Sequence, residues 1–179
     1  MEIVIIILGV AIPFAFWQWR EAKAKNPSSA WPELAPAVEF KFEDKPARLS
    51  GNWKGHNMRL SYDENSGEAI LQVGVRGRQG MRIELGPKAI LEKEAGMIVH
   101  DRVDLGDRQF EERYLLRSTP KEIGESAFDP NVRQKVANLP DMRILAQGET
   151  FVVRTDPVTD GDHLRELLDV AASVADSIS

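Results

Sequence analysis

The pattern of hydrophobic positions changes sharply along the chain, from one continuous apolar run to a long stretch of alternation. Residues Ile3–Trp19 form a run of seventeen residues, IVIIILGVAIPFAFWQW, with Gln18 as the only strongly polar side chain. A helix of this length spans about 25 Å, close to the bilayer's hydrocarbon core of about 30 Å. A cleaved signal peptide is the alternative, but such peptides carry positive charge before the run, where this chain has Glu2. The run therefore predicts an uncleaved transmembrane anchor over residues 1–25.

The residues around the run predict how this helix sits in the membrane. The run is followed by three cations, Arg20, Lys23 and Lys25. Positively charged flanks of a membrane helix stay in the cytoplasm. We therefore expect a single-pass protein of the inner (cytoplasmic) membrane, with its N-terminus outside and its C-terminal domain in the cytoplasm. The side chains predicted to contact the membrane interface or to pack against other membrane helices are Trp17, Trp19, Gly9, Ala11 and Ala15.

After the anchor the pattern becomes that of a linker followed by strands. Residues 26–37 read NPSSAWPELAPA, and the density of proline predicts a semi-rigid, extended linker. From residue 38 onward apolar and polar residues alternate with period two, which is typical of strands with one buried face. Such runs are Val38–Phe42, Met58–Tyr62, Leu71–Val75, Met81–Leu85, Met97–Val103, Phe110–Arg117, Met142–Gln147 and Thr150–Thr155.

Two segments have helical spacing instead. Asp129–Leu139 begins with a capping aspartate followed by proline at the first helical position. Asp162–Ile178 carries a long apolar stripe that needs a sheet face to cover. The predicted fold class is α+β: an N-terminal single transmembrane helix plus one domain, residues 38–179, of largely antiparallel sheet with two helices packed on one face.

The distribution of charge excludes some functions. The net charge is −5, and residues 1–26 carry three cations and two acids, which leaves −6 for the remainder. An acidic domain repels a phosphate backbone, so we expect no nucleic-acid partner. The chain has no cysteine, which excludes thiolate metal sites, disulfides and thiol catalysis.

The sharpest basic cluster is the glycine-rich loop between the fourth and fifth apolar runs. It contains Arg76 and Arg78 and is followed by Arg82, so it offers a contact for an anionic ligand, a lipid headgroup or an acidic partner. The alternative is a solvated hairpin tip in which glycines supply positive φ. The glycine spacing lacks the dinucleotide-binding fingerprint and does not open a helix.

Acids and histidines offer weaker candidates for catalysis. His163 lies beside Asp160 and Asp162, but acids at this place are expected as caps of the last helix. Asp107 belongs to an acidic run interleaved with arginines, a pattern more typical of surface ion pairs than of paired catalytic carboxylates. No residue is assigned as catalytic, as cofactor-binding or as a metal ligand, and no cofactor is expected.

The segment Gly106–Leu116, GDRQFEERYLL, resembles a Gly-Asp-x-x-Phe-Asp/Glu-x-x-Phe/Tyr pattern found in uncharacterised bacterial membrane-tethered proteins. In that family it follows a Gly-x-x-x-Gly-His-like strand, similar to Gly51–His56 here. The resemblance would cover about residues 49–178 and implies an anchor plus an α+β domain without assigned chemistry. Glu111 stands where the family pattern has Asp. We expect Asp107 to cap a turn here, with Phe110 and Tyr114 in the core.

These observations favour a non-enzymatic accessory or scaffold subunit of a membrane protein complex, with a respiratory or photosynthetic complex as one host. The expected partners are membrane-embedded proteins and the lipid bilayer. Two alternatives stay open. One is a membrane-tethered module that binds an anionic ligand or lipid headgroup through the arginine loop. The other is a hydrolase of unknown type that uses Asp107 or His163.

Overall fold

A computed structural model describes residues 27–77, 79–95 and 101–179. The predicted anchor, including Gly9, Ala11, Ala15, Trp17 and Trp19, lies outside the described residues. Eight strands form one antiparallel sheet, with the order β1-β2-β3-β4-β8-β7-β5-β6. They are β1 (Lys41–Asp44), β2 (Ala47–Trp53), β3 (His56–Asp63), β4 (Glu68–Gly74), β5 (Arg82–Pro87), β6 (Tyr114–Thr119), β7 (Met142–Gln147) and β8 (Thr150–Thr155).

The helices of the described residues connect and cover these strands. They are α1 (Trp31–Leu34), α2 (Lys88–Ala95), α3 (Arg108–Arg113), α4 (Lys121–Ala127), α5 (Pro130–Asn138) and α6 (Gly161–Ile178). The long helix α6 carries nine buried residues, and α4 and α5 pack against it. Side chains of Asp129 and Asp160 accept hydrogen bonds from the backbone at the starts of α5 and α6, so both helices begin at a capping aspartate.

One face of the sheet forms the main core. Strand pairing places one buried apolar residue of each of seven strands side by side, and these side chains are at most 3% exposed. In sheet order the row is Leu49, Leu60, Leu71, Val153, Ile144, Leu85 and Leu116. Because α6 lays its apolar stripe on this face, the row is removed from water along almost the whole width of the sheet.

The segment before β1 is part of this core. Residues 27–38 are not an extended linker: they form the 3₁₀ turns Pro27–Ala30 and Ala35–Val38 around α1. Trp31 is fully buried, and its indole Nε1 donates a hydrogen bond to the Val158 carbonyl at 3.1 Å. The buried indole holds the segment against the domain, because a large aromatic side chain removes much apolar surface from water when it is buried.

The opposite face of the sheet is covered only at one end within the described part of the chain. Leu91 of α2 lies against Gly86, where an added Cβ would stand 3.2 Å from the leucine side chain. Leu91 and its neighbour Leu115 on β6 are both buried, yet neither belongs to the main core cluster. Helix α2 thus closes a small second cluster over β5 and β6 and leaves β3, β4, β8 and β7 without a covering helix.

The predicted fold class is corrected in two respects. No helix in the described part of the chain is long and apolar enough to cross a membrane, and the run Ile3–Trp19 lies outside that part. The described sheet carries six helices on two faces rather than two on one face. The two predicted helices are confirmed as α5 and α6, and the strands predicted at Met142–Gln147 and Thr150–Thr155 are confirmed as β7 and β8.

One predicted strand, Phe110–Arg117, divides into the helix α3 and the strand β6. The Asp107 side chain accepts a hydrogen bond from the Phe110 backbone N–H at 3.1 Å, which caps a helix start. Arg108 and Glu112 form an ion pair one helical turn apart. The chain becomes extended only at Tyr114. The predicted strand Met97–Val103 falls largely outside the described residues; Arg102 forms an isolated bridge with Arg117.

Candidate interaction surface on the open face of the sheet

The face of the sheet opposite the main core, which among the described helices α2 covers at one end, presents one continuous row of side chains. We call it the open face. Strand register sets the following eight residues side by side, one from each strand: Lys41, Ser50, Arg59, Gln72, Val152, Leu145, Glu84 and Arg117. Successive residues of a strand point to opposite faces. This row therefore lies on the opposite side of the sheet from the buried row that runs from Leu49 to Leu116, which we call the leucine row. Its middle is apolar and its ends are polar.

The apolar middle is the first candidate for a contact surface. Among the described residues Leu145 is the one large apolar side chain that is exposed, at 37%. Val152 lies directly opposite it on β8, and Ile70 on β4 lies diagonally beyond Val152. Between this group and Leu91 of α2 is a cavity of about 250 Å³.

Two arginines stand beside these apolar residues. Arg143 and Arg154 are directly opposite each other on β7 and β8, and both line the cavity. Like charges in this position oppose each other and destabilise the strand pair. Each is relieved by one carboxylate: Arg154 contacts Glu68 at 3.3 Å, and Arg143 contacts Glu94 at 3.6 Å. We call Ile70, Leu145, Val152, Arg143 and Arg154 the arginine–leucine patch.

The other half of the open face is polar. An open groove of about 630 Å³ runs over β1 to β4. The residues that line it include Lys41, Ser50, Asn52, Asn57, Arg59 and Gln72. The Asn52 side chain is held in place, because its Oδ1 accepts a hydrogen bond from the Gly55 backbone N–H and its Nδ2 donates to Asn57. We call this the polar groove.

Two of the three arginines predicted to contact an anion lie in the described part of the chain. Arg82 lies on β5, and its guanidinium contacts the Glu84 carboxylate at 3.2 Å. Arg76 is exposed in the loop after β4, and Arg78 lies outside the described residues. Gly77 touches the β7–β8 turn, since an added Cβ would overlap the Gly148 carbonyl. Gly77 is therefore packed on the hairpin tip, and the role of the three arginines in anion contact stays a prediction.

The residues weighed for catalysis occupy structural positions. Asp107 caps α3 and contacts Arg133 at 3.5 Å. The Asp160 carboxylate accepts a hydrogen bond from the His163 backbone N–H, which lowers the pKa of Asp160. In the described part of the chain no group of three or more His, Asp or Glu is placed to hold a metal ion.

The segment Gly106–Leu116, which carries the family resemblance, joins α3 to α5. Phe110 and Tyr114 are buried, with ring centroids 5.2 Å apart. Burial raises the pKa of the Tyr114 phenol, and the nearby Arg113 guanidinium partly offsets this. Arg113 also donates hydrogen bonds to carbonyls at the end of α5, those of Ala137 and Leu139.

The second segment of that resemblance, Gly51–His56, forms the turn between β2 and β3 and docks on α6. Asp169 of α6 accepts a hydrogen bond from the Trp53 indole at 2.9 Å and contacts Lys54 at 2.8 Å. Lys135 of α5 contacts its other oxygen at 2.7 Å. Burial of Asp169 acts to raise its pKa, but the hydrogen bonds from Lys135, Lys54 and Trp53 together outweigh burial and lower the pKa to about 2.

Sequence reasoning missed both halves of the open face. Arg143, Leu145, Val152 and Arg154 all occupy solvent-side positions of two strands whose alternation was recognised. The available signal was an apolar residue at a position where the alternation calls for a polar one: Leu145 lies between Arg143 and Gln147 on the same side of β7. The pairing of these strands with β4 and β5, which assembles the surface, has no local signal.

Comparison with known proteins gives a likeness in fold. No protein-family model matches the chain, and no curated protein sequence matches it. The solved crystal structure of the mycobacterial trehalose monomycolate transport factor A, TtfA, is similar with a TM-score of 0.58. The match covers 85% of this chain and 94% of TtfA at 11% sequence identity. At this identity the likeness establishes a shared fold with a protein named as a transport factor.

Proposed function

We propose that this chain is a non-enzymatic accessory protein of a membrane transport assembly, and that it binds a membrane-embedded protein partner through the arginine–leucine patch. The observation that carries the proposal is the fold shared with TtfA over nearly the whole of that chain. TtfA is named as a transport factor. A fold alone does not fix a function, so the proposal also needs a surface that fits the role.

The arginine–leucine patch has the composition of a protein contact surface. Protein interfaces centre on exposed apolar side chains, are enriched in arginine, and carry a polar rim that excludes water from the centre. Here Leu145 and Val152 supply the centre, while Arg143 and Arg154 flank it. A partner that covers the patch would bury Leu145, which is 37% exposed.

The charges around the patch favour a protein partner over a lipid surface. The carboxylates of Glu68, Glu84 and Glu94 lie among the arginines, so the rim carries both signs. An anionic bilayer surface would attract the two arginines of this patch but repel the three carboxylates that lie among them. A protein can place a carboxylate between Arg143 and Arg154 and still satisfy the neighbouring acids.

The test is co-purification of the full-length chain from native membranes in mild detergent, with partners identified by mass spectrometry. Leu145→Arg places a third positive charge beside the two arginines at an exposed position, so it should abolish recovery of a stoichiometric partner without unfolding the domain. Ser126→Arg is the matched control, because it adds the same charge at an exposed position of α4, among the helices on the other side of the sheet.

The proposal requires that the wild type and Ser126→Arg retain the same partner and that Leu145→Arg loses it. Thermal denaturation of all three proteins checks that the fold is unchanged. A partner that survives Leu145→Arg would reject the patch as the contact surface. Recovery of the wild type as a clean monomer would reject the accessory role itself.

A further inference from the structure

Two cations on the open face form no ion pair within the described part of the chain. The five arginines Arg48, Arg82, Arg117, Arg143 and Arg154 each form an ion pair on this face. By contrast, neither Lys41 nor Arg59 forms an ion pair with any described residue, and both are exposed. Because the domain is acidic, it has many carboxylates that could have formed ion pairs with these two cations. Both of these unpaired cations lie in the polar groove, which distinguishes the groove from the rest of this face.

Strand register brings the two cations to the same part of the groove. Lys41 pairs with Ser50, and Ser50 pairs with Arg59, so the cations are two strands apart on one face. Adjacent strands lie about 4.8 Å apart, which puts the two Cα atoms about 10 Å from each other. Lysine and arginine side chains are long enough to converge on one small anion placed above Ser50.

The rest of the groove supplies neutral hydrogen-bonding groups. Gln72 follows Arg59 in the same row, and Asn52 and Asn57 form a pair in the next row. Amides and hydroxyls both donate and accept hydrogen bonds, as a molecule rich in hydroxyl groups requires. Glu39 lines one end, where its carboxylate can accept from a hydroxyl but repels a second anionic group.

We propose that the polar groove binds a singly phosphorylated, hydroxyl-rich molecule of the glycerol phosphate type. Arg59 and Lys41 hold the phosphate oxygens, with arginine able to donate two parallel hydrogen bonds. Ser50, Gln72 and Asn57 contact the hydroxyl groups. A groove of about 630 Å³ has room for such a molecule with its ordered water. The site is separate from the arginine–leucine patch and does not depend on the proposed accessory role.

Titration of the isotope-labelled full-length chain, followed by NMR, tests the site with three probes: glycerol 3-phosphate, inorganic phosphate and glycerol. Glycerol 3-phosphate should shift the resonances of Ser50, Arg59 and Gln72 and bind more tightly than either of the other probes. Loss of charge-assisted hydrogen bonds in Lys41→Gln/Arg59→Gln should weaken its binding by about tenfold or more. Added salt should weaken it as well.

Lys45→Gln/Arg48→Gln is the matched control, because it removes two cations from the same edge of the sheet and changes the net charge equally. The proposal expects this control to bind glycerol 3-phosphate like the wild type. Equal loss in both double variants would overturn the site in favour of a general charge effect. Equal affinity for inorganic phosphate would overturn the hydroxyl-rich class of ligand.

Vesicles distinguish a free molecule from a lipid headgroup of the same chemistry. If the ligand is a headgroup, phosphatidylglycerol vesicles should sediment more of the wild type than phosphatidylcholine vesicles do, and Lys41→Gln/Arg59→Gln should reduce this difference. If the ligand is free, only the soluble probe should respond to the substitution. A double variant that matches the wild type in both assays would refute the site. Leu145→Arg should leave groove binding unchanged, so this result and the partner assay are independent.

Discussion

The Asp169 carboxylate offers a quantitative check on how the domain is held together. Its two oxygens contact three groups from two other parts of the fold: Trp53 and Lys54 of the β2–β3 turn, and Lys135 of α5. Its side chain is 22% exposed. We therefore expect Asp169→Asn to loosen both the turn and α5 from α6 while it preserves the shape of the side chain.

The magnitude follows from the pKa. Folding lowers the pKa of Asp169 from its ordinary value of 3.8 to about 2. Each unit corresponds to about 1.4 kcal/mol, so the ionised carboxylate contributes about 2 kcal/mol at neutral pH. Because the folded-state pKa is the lower one, this stabilisation is present above pH 4 and is lost as the pH falls toward 2. The asparagine variant lacks it at every pH.

The assay is urea denaturation followed by tryptophan fluorescence, for the wild type and Asp169→Asn, at several pH values from 7 down to 2. The difference in the free energy of unfolding should be about 2 kcal/mol near neutral pH and should shrink between pH 4 and pH 2. Asp176→Asn is the control: this carboxylate lies on the same helix and contacts only His56, and its side chain is 67% exposed. It should cause a much smaller loss.

A double-mutant cycle with Lys135→Met separates the ion pair from other effects of the substitution. The coupling should be favourable at pH 7 and should weaken at pH 2. A difference between wild type and Asp169→Asn that stays constant from pH 7 to pH 2 would refute the electrostatic reasoning, because it would show that shape rather than charge is responsible.

Two further substitutions test the packing of the domain. Trp31→Ala should lower the free energy of unfolding by about 3–5 kcal/mol, as for other fully buried aromatics, and a loss below about 1 kcal/mol would mean that residues 27–38 are an independent linker after all. Gly51→Ala should cost about 1–3 kcal/mol in denaturant titration, because the new methyl group would overlap the ring of Phe40. Adding Phe40→Leu should recover part of that cost; the absence of any recovery would contradict the assigned contact.

Much of the domain's secondary structure could be read from the sequence because its signals are local. Alternation of period two over Met142–Thr155 marks β7 and β8 with their turn. A capping aspartate and an apolar stripe mark α5 and α6 in the same way. The strand predicted over Phe110–Arg117 was wrong for its first half for a related reason. The alternating pattern fits a strand, but the Asp107 side chain caps a helix start there, and this local hydrogen bond outweighs the pattern.

The sequence by itself determined which residues of each strand share a face, since that depends only on the alternation of neighbours. Only the tertiary structure decided which strands lie side by side. The insertion of β8 and β7 between β4 and β5 joins residues more than seventy positions apart, such as Gln72 and Val152. That order is set by burial of the whole leucine row under α6, a collective gain with no signature at any single position. It also fixes the open face: the pairing of strands made neighbours of Arg143 and Arg154, and left Lys41 and Arg59 without an ion pair to any described residue.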